Sequence, residues 1–400
     1  MYIKRRKFIQ SGSLVTATAL LPNFLKAWEQ PFTRGMAEKP KVLVVLQLSG
    51  GNDGLNTLIP INNDLYYKNR QTIGIAKNKA LRLNDDAGIH PALPVFKKMY
   101  DEGYLAALNE VGYPNPDRSH FRSMDIWHTA SKSNEYLTTG WIGRYLDAQC
   151  AGCAHPTQVL EIDDMLSLAS KGANHKGIAF VNAERLNKST KQYLFEQINN
   201  AHHHEDEIAD YLYKTLAETE SSAGYIFEKS KMYNSPFTYP NTQIGRGFKN
   251  IASLIGSDIN TSVYYISHGS FDTHVGQELQ QSRLFKEMND ALEVFFKDLQ
   301  AMHRFEDVLL FTFSEFGRRV KQNASGGTDH GTANNMFFIS GALQQKGIIS
   351  SMPALNDLSD GDLQYKIDFR DVYATVLRQW LKADDAALLN HKAKYLSFLG

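Results

Sequence analysis

The sequence predicts an α/β protein in which a mostly parallel, doubly wound sheet lies between two helical layers, and three observations predict it. Val42 to Leu48 (VLVVLQL) and Val308 to Phe313 (VLLFTF) are unbroken apolar runs of strand length, the pattern of strands buried on both faces. Each run stops abruptly in polar sequence: Ser49-Gly50-Gly51-Asn52-Asp53-Gly54 after the first, Ser314-Glu315-Phe316-Gly317-Arg318-Arg319 after the second. Val263 to Ser267 is strand-like, and a long stretch with Leu284, Met288, Leu292, Phe295, Phe296 and Leu299 at helical spacing joins it to the run at Val308. That order is the strand, crossover helix and strand of a parallel unit. At 42% hydrophobic and 22% charged residues, the 400-residue chain can bury a core and is not a disordered polymer.

The first residues read as a targeting segment. Lys4-Arg5-Arg6-Lys7-Phe8-Ile9 precedes a modestly apolar run from Ser11 to Leu21 and then Pro22, the pattern of a bacterial twin-arginine signal; an ordinary secretory signal or a basic anchor is the plainer alternative. The expected organisation is a signal peptide over 1–27, a linker over 28–40 and one domain over 41–400 with a helical insertion at 185–235. The destination is the periplasm or the exterior. Five of the 43 basic residues and no acidic residue lie in 1–27, leaving 38 against 43 acidic ones and a net charge of −5. That argues against non-specific binding to nucleic acid. No later stretch has the length of a membrane span. The two cysteines, Cys150 and Cys153, read as an incidental or structural pair. A lone CxxC lacks the second pair of a zinc site, and His155 comes one place too late for haem attachment.

Taken in order, the first strand at Val42 ends in a glycine turn that permits close backbone approach and presents Asp53, a candidate ligand or a plain turn residue. Residues 91–102 suggest a helix and Tyr104 to Asn109 a strand. Two prolines, Pro114 and Pro116, lead into a helix from Phe121 to Ala130. Ser119 at its start is either a nucleophile or a cap, and His120 beside it a base, a metal ligand or a supporting partner. Another helix opens near Gly140, and Gln158 to Ile162 and Ile178 to Val181 are short strands. From Arg185 to about Tyr233 the chain turns polar, charged and helical in period. Its His202-His203-His204-Glu205-Asp206 run reads as a solvated helical face, since consecutive helical side chains diverge.

The strand at Val263 ends in His268-Gly269-Ser270-Phe271-Asp272-Thr273-His274. Asp-x-His in extended geometry puts a carboxylate and an imidazole on one side, an arrangement suited to a divalent ion. The run at Val308 is followed by Glu315, Arg318, Arg319 and then Asp329-His330. Asn334 to Ser340 is a further apolar run, and a helix starts near Asp371 and packs through Val372, Val376, Leu377 and Trp380. If these loops meet at the carboxyl edge of the sheet, Asp53, Asp272, His274, Glu315, Asp329 and His330 supply metal ligands. Ser119, His120 and Arg318 then supply a nucleophile, a proton carrier and an anion contact.

LQLSGGNDGLNTLIP, RSHF, FDTH, SEFGRR and GTDHG together resemble the bacterial domain-of-unknown-function family 1501, regarded as sulfatase-like within the alkaline phosphatase superfamily. The resemblance runs from about Lys41 to Leu381. It implies an alkaline-phosphatase-like three-layer α/β/α fold and one or two divalent ions (zinc, manganese, calcium or magnesium). By this resemblance Asp53 is the acidic ligand after the first strand, Ser119 the hydroxyl nucleophile, Asp272 and His274 a metal pair, Glu315 a further ligand, and His330 the late histidine with Asp329 beside it. No Cys-x-Pro-x-Arg is present, so the formylglycine nucleophile of type I sulfatases is absent. The implied function is an exported metal-dependent hydrolase of a small-molecule or glycan phosphate or sulfate ester. A non-catalytic binding or assembly protein on the same fold is the alternative. The oligomeric state is not encoded in any of these features.

Overall fold

A computed structural model of the chain describes residues 39–150, 157–191 and 207–400. The expected signal peptide, Cys153 and the His202–Asp206 run lie outside the described residues. Cys150 is disulfide-bonded.

The central sheet has nine strands: β1 (Val42–Leu48), β2 (Leu105–Gly112), β3 (Val159–Ile162), β4 (Ile178–Ala179), β5 (Val263–His268), β6 (Val308–Phe313), β7 (Asn334–Ile339), β8 (Gly347–Ile348) and β9 (Ile367–Asp368). Their order is β8-β2-β7-β6-β1-β5-β3-β4, with β9 also on β2. β1 runs parallel to β5 and β6 on its two sides, and β3 parallel to β5 and β4. Only β7 runs against its neighbours β2 and β6. The β5 and β6 strands flank β1 rather than each other, so the crossover between them spans one strand.

Period-2 alternation sorts the core into two layers. Val42, Val44, Leu46 and Leu48 of β1, with Val308 and Leu310 of β6, face one side. There they meet α1 (Pro94–Asp101), α4 (Glu207–Ser230, through Ile226), α5 (Gln243–Gly256) and α6 (Gln277–Ala301). Leu43, Val45, Leu309, Phe311 and Phe313 face the other, against α2 (His120–Thr129), α3 (Trp141–Gln149) and α7 (Phe369–Thr375). Burying each such side chain contributes roughly 1.5–3 kcal/mol, which explains why runs apolar on both faces take the centre. The result is the three-layer α/β/α architecture. Among the described residues, no helix is long and apolar enough to cross a membrane.

Candidate metal centre

The loops that leave the carboxyl ends of β1, β5 and β6 meet at one edge of the sheet. Two glycines let them meet. Gly50 has φ of +113°, and a Cβ there would lie 2.5 Å from the backbone nitrogen of Asp272. A Cβ on Gly327 would lie 2.4 Å from the carbonyl of His274. Arg318, 2% exposed, then ties the loops together. Its Nε donates to the carbonyl of Gly51 (2.6 Å), its Nη1 to that of Thr328 (2.9 Å), and its Nη2 to those of Gly50 and Phe271 and to Asp272 Oδ1 (2.7 Å).

Three imidazoles gather on Asp272. His274 Nε2 lies 3.0 Å and His330 Nε2 3.1 Å from Asp272 Oδ1, and His120 Nε2 lies 3.4 Å from Oδ2. The Nε2 atoms of His274 and His330 are 3.0 Å apart. Donor atoms of His120, Asp272 and His330 all fall within 4.8 Å of one another.

The far nitrogen of each ring is held by an acceptor. His330 Nδ1 sits 2.8 Å from the carbonyl of Arg118, His274 Nδ1 3.1 Å from Asp329 Oδ1, and His120 Nδ1 3.0 Å from Glu315 Oε1. A carbonyl or carboxylate only accepts, so each Nδ1 carries a proton and each neutral ring aims its Nε2 lone pair at Asp272. Phe316 packs against the rings of His120 and His330, with centroids 4.9 and 4.5 Å away.

Electrostatics divide the rings. Burial pushes the His330 imidazole below its ordinary value, which favours the neutral ring. The hydrogen bond to Glu315 raises that of His120, which works the other way and favours the charged ring while no ion faces it. Partial burial opposes charge on Asp272, but the hydrogen bond from the Arg318 guanidinium, with the His330 ring beside it, outweighs burial and brings its pKa down to about 2. Asn323 and His274 lower that of Asp329. Lone pairs that converge on an anion at these distances repel unless a cation or shared proton lies among them. Three nitrogens and a carboxylate form a donor set suited to a divalent ion.

Not every residue singled out from the sequence takes part as expected. Asp53 stands apart from the cluster. It is the N-cap of the short helix Gly54–Thr57, accepting from Leu55 N and Asn56 N. Its other oxygen receives Arg70 Nη1 and Gln277 Nε2, so a buried guanidinium takes the place expected for an ion. Arg318 is spent on four carbonyls and Asp272, not on an anion contact. Glu315 and Asp329 touch imidazoles from behind rather than joining the inner set. Glu315 Oε1 also accepts Gly50 N (2.8 Å), and its buried Oε2 has no partner among the described residues. Ser119 occupies the N-cap position of α2, exposed, and makes no capping hydrogen bond with its side chain.

Sequence reasoning missed Arg70 and Gln277, the partners of Asp53, and the Arg118 carbonyl that orients His330. Arg70 lies in irregular sequence and Gln277 in the first turn of α6, and neither carries a motif. Beside the cluster, Arg118 lines an open cavity of about 660 Å³ shared with Asn115, Asp360, Gln364 and Tyr365.

A family described as "Protein of unknown function (DUF1501)" matches residues 104–396. No curated protein matches the sequence. Solved structures with some likeness include the C-terminal periplasmic domain of EcEptC from Escherichia coli in complex with Zn. Identity there is 10% and the TM-score 0.37, over 76% of this chain and 74% of that one. A protein in the alkaline phosphatase superfamily from Vibrio parahaemolyticus gives 10% and 0.39, over 85% and 66%. The PsFucS1 sulfatase from Pseudoalteromonas sp. gives 11% and 0.37, over 85% and 67%. Likeness of this size transfers neither residue roles nor substrates.

Proposed function

The chain belongs to the DUF1501 family, and from the geometry of its site we propose that it is an exported, metal-dependent hydrolase of phosphate or sulfate esters with an alkaline-phosphatase-like centre. One observation carries the reading: three imidazoles, each held through Nδ1 by an acceptor, turn Nε2 toward one carboxylate. Such backing of the far nitrogen is how metal-ligating histidines are oriented. His120, His274, His330 and Asp272 would hold the ion, and the nitrogen-rich set suits zinc better than calcium or magnesium. When bound, the ion supplies Lewis-acid polarisation of the ester and a more acidic water.

The chain's own groups do the rest. Glu315, Asp329 and the Arg118 carbonyl fix the rings. Arg318 keeps Asp272 ionised and its loop in place. Ser119, whose hydroxyl is not used as a cap, stands one residue from His120 as the candidate nucleophile. The cavity beside Arg118 receives the leaving group. The Lys4–Ile9 segment supplies the export signal.

A second reading, binding without turnover, draws on a specific observation. Arg318 and the Asp53 carboxylate are both consumed inside the protein, and the Arg118 guanidinium beside the cavity is paired with Asp362, so none of the three is free for an ester. One experiment separates the two. Metal content is measured on protein purified without chelator, and hydrolysis of 4-nitrophenyl phosphate and 4-nitrophenyl sulfate is compared for chelated and zinc-reloaded samples. The hydrolase reading expects about one equivalent of metal and turnover that disappears on chelation and returns on reloading. Equal rates in the two samples would sink it; bound metal with no turnover of either ester favours the binding protein.

A further inference from the structure

Asp329, which bonds His274, also lines a second open basin of about 670 Å³ together with Lys68, Arg319 and Lys321. Its volume is in the range of ligand pockets rather than of a single-ion niche. Lys68, in the last turn of the helix Asp64–Asn69, and Lys321 are exposed. Neither has an ion-pair partner among the described residues. Arg319 is held by Asp362 Oδ1 (3.1 Å) and by the carbonyl of Asp360.

Among the described residues that line the basin, the one carboxylate is Asp329, which is already bonded to His274 Nδ1 and to Asn323 Nδ2 (3.2 Å). The walls are tied together. Gln322 N donates to the carbonyl of Asn69 (3.0 Å), and Gln322 Oε1 accepts Thr72 N (2.9 Å). Arg70 donates to the carbonyls of Val320 (3.0 Å) and Arg319 (2.9 Å). With Arg319 paired to Asp362, Lys68 and Lys321 are the positive charges of this wall without an ion-pair partner among the described residues, and a concave surface strengthens the field they make. An anion in the basin would offset the charge of the two lysines.

We infer that this basin is a second anion subsite, which binds a negatively charged group carried by the substrate beyond the ester at the metal centre. The substrate is therefore a polyanion bearing repeated phosphate or sulfate groups along a chain. Cleavage of such a chain rests on the hydrolase reading above; the binding rests on the basin alone.

The test is a binding titration, repeated at two ionic strengths, with dextran sulfate, inorganic polyphosphate and neutral dextran as probes. It compares the wild-type chain with the double variant Lys68→Glu, Lys321→Glu, both verified as folded by thermal melting. The wild type binds one or both polyanions and not neutral dextran, and the sulfate and phosphate arms show which anion the chain prefers. Charge reversal weakens that binding by roughly tenfold or more and reduces its dependence on salt. Equal binding by both proteins, or no polyanion binding by the wild type, overturns the subsite. If the polyanion binds through these lysines and no ester is ever hydrolysed, the subsite stands and the hydrolase reading falls. Ester hydrolysis without lysine-dependent polyanion binding gives the reverse.

Discussion

Two aspartates leave the ends of adjacent parallel strands, Asp53 after β1 and Asp272 after β5, and the protein uses them in opposite ways. Asp53 is buried, and its oxygens are filled by Arg70, Gln277 and two backbone N–H groups. Its charge is balanced within the fold. Asp272 is about half exposed and also has a guanidinium, Arg318, but faces three imidazole nitrogens as well. There the lone pairs outnumber the protons available to satisfy them. In the proposed metal centre, it is this deficit of positive charge that makes Asp272 a ligand and leaves Asp53 a structural group.

Removing the deficit is the most damaging way to break this contrast. Asp272→Ala or His330→Ala is expected to abolish stoichiometric metal binding, read by metal analysis of the folded protein. Asp53→Ala is expected to leave the metal content per folded molecule unchanged and to cost about 3–5 kcal/mol, because it strands a buried guanidinium; urea unfolding measures this. If Asp53→Ala instead loses its metal and keeps its stability, the roles assigned to the two aspartates are reversed.

A third carboxylate sharpens the comparison. Glu161 on β3 is buried with neither a guanidinium nor an imidazole bonded to it among the described residues, and its Oε2 accepts Ser167 N and Oγ, both at 3.0 Å. Burial raises its pKa to about 7. A raised carboxyl favours the folded state when protonated. Its contribution is complete below the ordinary value of 4.5 and is lost as pH climbs through about 7. The loss amounts to about 3 kcal/mol. Glu161→Gln should flatten that slope in unfolding curves taken from pH 4 to 8; an unchanged slope would show that Glu161 is not its source.

The smallest effects come from the groups behind the rings. Glu315→Gln should weaken metal affinity by about 10- to 100-fold and the more exposed Asp329→Asn by about tenfold or less, measured by chelator competition. Equal and negligible effects would mean that the rings need no backing.

Much of this was legible in the sequence. The apolar runs gave β1 and β6, and Asp-x-His and Asp329-His330 gave three of the four inner donors, Asp272, His274 and His330, because local spacing fixes where those side chains point. What failed to show was partnership across the chain. Arg318 and Arg319 are adjacent and chemically alike, yet one is buried against main-chain carbonyls while the other reaches a basin. Nothing local to Asp53 announces Arg70. Likewise MFFIS announces a strand but not its direction, and β7 runs antiparallel because its hydrogen-bonding neighbours, β2 and β6, lie far away in sequence.

The Arg318 clamp has a consequence for how the protein matures. Five hydrogen-bond acceptors from the glycine turn after β1, the loop after β5 and the segment before Asp329 converge on one guanidinium that is permanently charged. The donor atoms are therefore in position as soon as the chain has folded, whatever ions surround it. Loading should proceed as simple capture by a rigid receptor, with little change in circular dichroism and full reversibility on dialysis against chelator.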